Sequence, residues 1–151
     1  MIPISDYKSY FKRAVERIPE LRTFKAVVDE NHLGKVVKDL NNTHYPLLVA
    51  AYPSAITSAD SADAIKGRCT GLLFVLFDMN DRSRSDHDYE SELDQASQIM
   101  TTLVGIMRED MQECSFMANL HTDSMKIDPE YNFVGHVGVS CTFSFDAIPS
   151  W

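Results

Sequence analysis

Residues 71–111 read GLLFVLFDMNDRSRSDHDYESELDQASQIMTTLVGIMREDM, and this stretch decides the fold. It opens on an unbroken apolar run from Gly71 to Phe77, halts at Asp78 and crosses a polar connection, Asp78 to Ser85. A short apolar run bounded by polar loop residues predicts a buried strand, about Lys66 to Phe77. The second half places Tyr89, Leu93, Ala96, Met100, Leu103, Met107 and Met111 at helical spacing, which predicts one apolar helix face. Met100, Met107 and Met111 make that face adaptable. Asp86 or Asp88 is positioned to cap the helix, and Glu90, Glu92 and Asp94 put negative charge where the macrodipole favours it. Strand, acidic loop and helix together predict an α+β core unit.

On the N-terminal side, Ile4, Tyr7, Phe11, Ala14 and Ile18 recur at helical spacing and predict a first helix that ends before Pro19. Its other face carries Lys8, Lys12, Arg13 and Arg17, a solvated basic surface or a contact for a partner. Leu21 to Val28 reads as strand or short helix. Leu33, Val36, Val37 and Leu40 fit a short helix that fades at Asn41 and Asn42. PLLVAAY, residues 46–52, predicts a buried strand closed by Pro53. Ser54 to Ala64, small and polar, predicts a flexible loop or arm.

On the C-terminal side a strand is expected near Ser115–Met125, followed by a turn at Asp128–Asn132, where Pro129 and Asn132 supply turn chemistry. The last strand alternates cleanly. Phe133, Gly135, Val137, Val139, Cys141, Phe143 and Phe145 fall on one side, with Val134, His136, Gly138, Ser140, Thr142 and Ser144 on the other. That pattern predicts a sheet with one core face and one polar face. Pro149 and Trp151 lie in a tail, 146–151, and the whole reads as one domain over residues 1–151.

Composition bounds the function. At 151 residues, with 44% hydrophobic and 24% charged, the chain has the make-up of a globular protein with its own core. Its longest apolar run falls far short of the roughly 20 residues that span a bilayer. The N-terminus shows no basic region followed by an apolar stretch, so synthesis in the cytoplasm is expected. Cys69, Cys114 and Cys141 form no CxxC pair and read as buried, reduced thiols. The formal charge of −8 is uneven: residues 1–40 hold eight Lys/Arg against six Asp/Glu, and residues 41–151 hold six against sixteen. An acidic body of that kind argues against gripping a nucleic acid backbone, but suits a surface past which DNA slides.

Catalytic and metal chemistry find little support in the residue pattern. Asp78, Asn80, Asp81, Asp86 and Asp88 are hard oxygen donors, yet the calcium-loop glycine and closing glutamate are missing, and Arg82 and Arg84 intrude. The histidines form no HxH or HExxH pair, although His121 and His136 are able to meet across adjacent strands. Neither a GxSxG elbow nor a phosphate-binding glycine loop occurs. No enzyme activity, cofactor or metal is therefore expected. The residue types that remain fit a subunit that assembles, with an ordinary monomer as the plain alternative.

The order of elements resembles that of the tail-terminator and tail-completion (head-tail joining) proteins of long-tailed bacteriophages. The segments that carry the likeness are YPLLVAAYP, GRCTGLLFVLFDMN, DYESELDQASQIMTTLVGIM and VGHVGVSCTFSFD. The resemblance implies a small α+β sandwich, with the long helix and the N-terminal helix on one face of a mostly antiparallel sheet. It also implies a structural virion protein, made in the bacterial host cytoplasm. Its subunits form a ring, commonly a hexamer, that caps the tail tube and joins the head connector. DNA passes through the ring without specific binding, and no membrane is involved. Asp60, Asp63, Asp78, Asp81, Asp86 and Asp88 are the candidates for a lumen or an interface. The Leu21–Leu40 stretch is longer than a minimal member needs. Two other classes stay open: a small non-catalytic binding or regulatory module of a bacterial cell, and a metal-dependent hydrolase using the acidic loop.

Overall fold

Over the residues that the structure describes, 4–59, 65–79, 86–112 and 116–147, a computed structural model of the chain places five strands in one sheet. The elements run α1 (Ile4–Glu16), β1 (Thr23–Val27), α2 (Glu30–Val36), β2 (Leu47–Ala59), β3 (Ile65–Asp78), α3 (Asp86–Asp110), β4 (Leu120–Phe133) and β5 (His136–Ala147). The strand order is β1-β2-β3-β5-β4; β1 lies parallel to β2 and the other neighbours are antiparallel. The fold is thus α+β with a mostly antiparallel sheet, as the sequence led one to expect.

α1 and α3 pack on the same face. Tyr7, Phe11, Ala14 and Ile18 from the first helix region join Ala96, Met100, Leu103 and Met107 from α3 over Leu73, Val75, Cys141, Phe143 and Phe145. The expected stripes are there but wider: Tyr10 is buried on α1, and Ile99, Val104 and Ile106 are buried on α3, while Ile4 is half exposed. Each large apolar group buried here contributes about 1.5–3 kcal/mol relative to exposure.

The ambiguous Leu21–Leu40 stretch resolves as a crossover. Two parallel neighbours cannot be joined by a tight turn, so the chain leaves β1, forms α2 and returns to β2. Asp29 caps α2, accepting the His32 backbone N–H at 2.8 Å. α2 covers the face opposite α1 and α3, where Leu33 packs with Val27, Leu47, Val49, Phe74 and Leu76. That second layer explains the unbroken apolar run in β3. Leu72 to Leu76 are covered on both sides, whereas Gly67 to Thr70, beyond the crossover, alternate buried and exposed.

Three boundaries differ from expectation. β2 passes through Pro53 with a register shift between Ala51 and Ser54. β1 has ended at Val27, opposite Ala51, so no outer strand requires the missing N–H. The Ser54–Ala64 segment, expected to be loop or arm, is over Ser54–Ala59 the far end of β2, paired with Ile65–Thr70; residues 60–64 lie outside the described residues. β4 likewise runs through the expected Asp128–Asn132 turn, because Pro129 sits on an edge strand. The reversal comes at Val134 and Gly135, both at positive φ (50° and 73°). The cap expected at Asp86 or Asp88 also moves, since α3 already begins at Asp86 and both residues lie in its first turn.

Candidate functional site

The acidic candidates divide by what the structure describes. Asp60, Asp63 and Asp81 lie outside the described residues. Asp86 opens α3, its side chain also outside them, and Asp88 is exposed one step further along the helix. Asp78 ends β3 in register with His136 of β5. Among the described residues no group of three or more His, Cys, Asp or Glu is placed to hold a metal ion.

Asp78 belongs to a polar cluster at the covered end of the sheet. Tyr45 Oη and His136 Nε2 lie 2.8 Å apart, and His136 Nδ1 is 2.7 Å from the Val134 carbonyl. A carbonyl only accepts, so Nδ1 carries the hydrogen and, in the neutral ring, Nε2 accepts from the tyrosine hydroxyl. Burial first, and then the negative charge of Asp78, push the Tyr45 hydroxyl up to about 12. Met79 N–H donates to Gly135 O at 3.0 Å, closing the cluster across the turn. These contacts fasten the β4–β5 turn to β3 and to the end of the crossover. The tyrosine holds its proton too firmly to act as a base near neutral pH.

A second cluster occupies the other end of the same face. Arg68 of β3 and Asp146 of β5 are register partners, 3.5 Å apart, and His121 Nε2 of β4 reaches the same carboxylate oxygen at 3.1 Å. Hydrogen bonding from His121, with Arg68 alongside, holds the Asp146 carboxyl below its ordinary range. His121 and His136 therefore do not meet. The first pairs with Ser144, the second with Phe133 and Asp78, at opposite ends of β5. The expected polar face of β5 is also half wrong: His136 and Ser140 are buried, and Ser140 donates to Glu130 at 2.9 Å.

Cys69 and Cys141 are buried free thiols; burial raises both, Cys141 to about 11, so neither is a ready thiolate. Cys114 lies outside the described residues. A cleft of about 500 Å³ opens between α3 and the segment before β1, with Glu20, Arg22, Gln95 and Gln98 on its walls and Phe77 and Ile99 beneath. Sequence reasoning missed it because its residues come from four separate segments, around Glu20, Tyr45, Phe77 and Gln95.

The periphery carries the rest. On the β1 side, β2 continues after β1 ends at Val27, opposite Ala51, and pairs Ser54–Ala59 with Ile65–Thr70 of β3, whose Gly67–Thr70 also pair with β5. Both sheet edges bear exposed large apolar side chains, Val28 (66% exposed) next to β1, and Ile127 (38%) and Tyr131 (65%) on β4. Among the described residues no helix is long and apolar enough to cross a membrane. No protein-family model matches the chain, and no curated protein matches it.

Proposed function

We propose that this chain is a structural virion subunit, a ring-forming tail-terminator or head-tail connector protein that caps the tail tube and lets DNA pass. The observation that carries the reading is the far end of β2, Ser54–Ala59, which outruns β1 and, with β3 and then β5 on its other side, offers an open sheet edge to a neighbour. In a ring subunit such an edge serves to reach the next copy or the tube. The negative charge of residues 41–151 supports the same role, because an acidic lumen repels the DNA backbone and keeps it from sticking. Asp60, Asp63, Asp78, Asp81, Asp86 and Asp88 remain the proposed lumen or interface positions, and the subunit needs neither cofactor nor catalysis. Light scattering of the purified chain, with negative-stain imaging, tests the proposal. A closed ring, hexameric by the resemblance, is expected, and a monomer at high concentration overturns it.

The cleft beside α3 favours a second reading, a small non-catalytic binding module of a bacterial cell. Arg22 and the two glutamine amides would orient a polar ligand above Phe77 and Ile99. A monomer whose melting temperature rises with a small molecule, and falls back in Arg22→Ala, is its expected signature.

A further inference from the structure

The cleft beside α3 has two polar walls and an apolar lining between them. One wall is the segment before β1. Leu21 is buried there, and the Arg22 backbone N–H donates to the Pro46 carbonyl at 3.0 Å. The chain is thus fixed on both counts, while Glu20 and Arg22 stay exposed along the cleft. The other wall is α3, where Gln95, Gln98 and Thr102 share one helical face at spacings of three and four. Pro46, Phe77 and buried Ile99 supply the apolar surface. Tyr45 lends its ring, its hydroxyl being committed to His136.

The charges on this lining are one of each sign, and both are unmatched. Among the described residues that line the cleft, Glu20 and Arg22 alone are charged; Asp94, one helical turn before Gln98, is not part of it. Within the described residues the side chains of Glu20 and Arg22 form no ion pair or hydrogen bond, with each other or with any neighbour. The Gln95 and Gln98 amides are likewise unpartnered there. Arg17, by contrast, is taken up by Asp110.

Such a lining selects by charge. An anion that meets Arg22 also faces Glu20, and a cation that meets Glu20 also faces Arg22, so an ion of either sign gains from one and loses to the other. A neutral ligand displaces water from both charges and returns a counter-charge to neither. A ligand that carries an ammonium and a carboxylate together answers both. The amides donate and accept, so they serve either end of it.

We infer that the cleft takes a small zwitterion with an apolar side chain, a free α-amino acid or a dipeptide. Its carboxylate meets Arg22, its ammonium meets Glu20, and its side chain lies against Pro46, Phe77 and Ile99. A cleft of about 500 Å³ has room for a ligand of that size. The inference rests on the binding-module reading above and deepens it by naming the ligand.

The test follows the melting temperature and the calorimetric affinity of the full chain with L-leucine and with leucyl-leucine. Isocaproate, isoamylamine and glucose serve as the carboxylate-only, ammonium-only and neutral probes. Leucine or the dipeptide is expected to raise the melting temperature to a plateau. The three other probes are expected to bind at least about tenfold more weakly, the scale of one lost charge-assisted bond. Glu20→Gln is expected to weaken leucine by about tenfold while isocaproate binds no worse. Arg22→Gln is expected to weaken leucine as much while isoamylamine binds no worse, and Asp94→Asn to leave leucine unchanged. Isocaproate, isoamylamine or glucose binding as tightly as leucine overturns the zwitterion and leaves the binding-module reading standing. Leucine binding that both glutamine variants leave intact does the same. No shift with any probe overturns the zwitterion, and if light scattering also shows a closed ring the binding-module reading falls with it.

Discussion

Tyr10 Oη donates to Asp110 Oδ2 at 2.7 Å, joining the middle of α1 to the last residue of α3 across one hundred positions of sequence. Arg17 Nη1 reaches the same carboxylate at 3.1 and 3.2 Å from its more exposed site. The pair closes the helical layer over the sheet. Tyr10→Phe keeps the ring and removes the bond, and a bond to a charged acceptor is worth about 2 kcal/mol. An unfolding free energy lowered by that amount, read from urea titration, is expected. Arg17→Ala, with about half of its side chain exposed, is expected to cost less than about 1 kcal/mol. If Arg17→Ala is the more damaging of the two, this account of the helix junction is wrong.

Two glycines hold the strands close for different reasons. A Cβ on Gly138 would lie 1.9 Å from the Val75 carbonyl oxygen, and one on Gly71 would lie 2.3 Å from the Phe143 ring. Backbone cannot step aside, while a ring can be made smaller. Gly138→Ala is expected to cost more than about 3 kcal/mol, beyond ordinary overpacking. Gly71→Ala is expected to be partly rescued by Phe143→Leu, and Gly138→Ala is not. Thermal melts of the two alanine variants, each alone and with Phe143→Leu, check this, and rescue of Gly138→Ala by the same leucine would contradict it.

The elements that could be read directly were those whose burial pattern is local. The run Leu72–Phe77 is unbroken because helices cover both faces there, and Phe143, Phe145 and their polar neighbours alternate because only one face is covered. Pro53 and Pro129 misled because a proline's effect depends on whether the neighbouring side of its strand is occupied, which is settled by strand order. The true reversal escaped because Gly135, at φ 73°, falls in step with the alternation of the last strand, and Val134, a β-branched residue at φ 50°, carries no turn signal. The site was less legible than the fold. Of the six acidic candidates, Asp78 alone is placed in a described polar cluster, and its partners Tyr45 and His136 arrive from the crossover and the far strand. Charge density along the chain marked a region; register decided which residues meet.

The Tyr45–His136–Val134 chain predicts a local effect on the turn. His136→Leu removes an acceptor from Tyr45 and a donor from the Val134 carbonyl, and is expected to cost about 2 kcal/mol or more. Tyr45→Phe is expected to cost about 1 kcal/mol, and the double variant less than the sum. Amide hydrogen exchange at Val134 to His136 should quicken in His136→Leu more than exchange in the middle of β3. Equal quickening everywhere would mean that His136 acts on global stability and does not hold the turn.

Alkaline pH should unfold this protein through its buried acids. Burial raises the Cys69 and Cys141 thiols and the Tyr7, Tyr10 and Tyr45 hydroxyls, with the Asp110 carboxylate adding to the shift at Tyr10. Each keeps its proton longer in the folded chain than in the unfolded one. The stability that each contributes is therefore whole below the unfolded value, about 8.5 for thiols and about 10 for tyrosines, and is lost as pH rises toward the folded value. For Cys141 the window closes at about 11 and for Tyr45 at about 12. A fully buried group steepens the loss by at most about 1.4 kcal/mol per pH unit, and half-exposed Tyr45 by less. Urea midpoints are expected to be level between about pH 7 and 8 as far as these groups are concerned, and to fall from about pH 9 upward. Cys141→Ala should remove the early part of that fall, and Tyr45→Phe a part of the later one. A midpoint that holds steady to pH 11 would show that the thiols and hydroxyls are not buried as the fold requires.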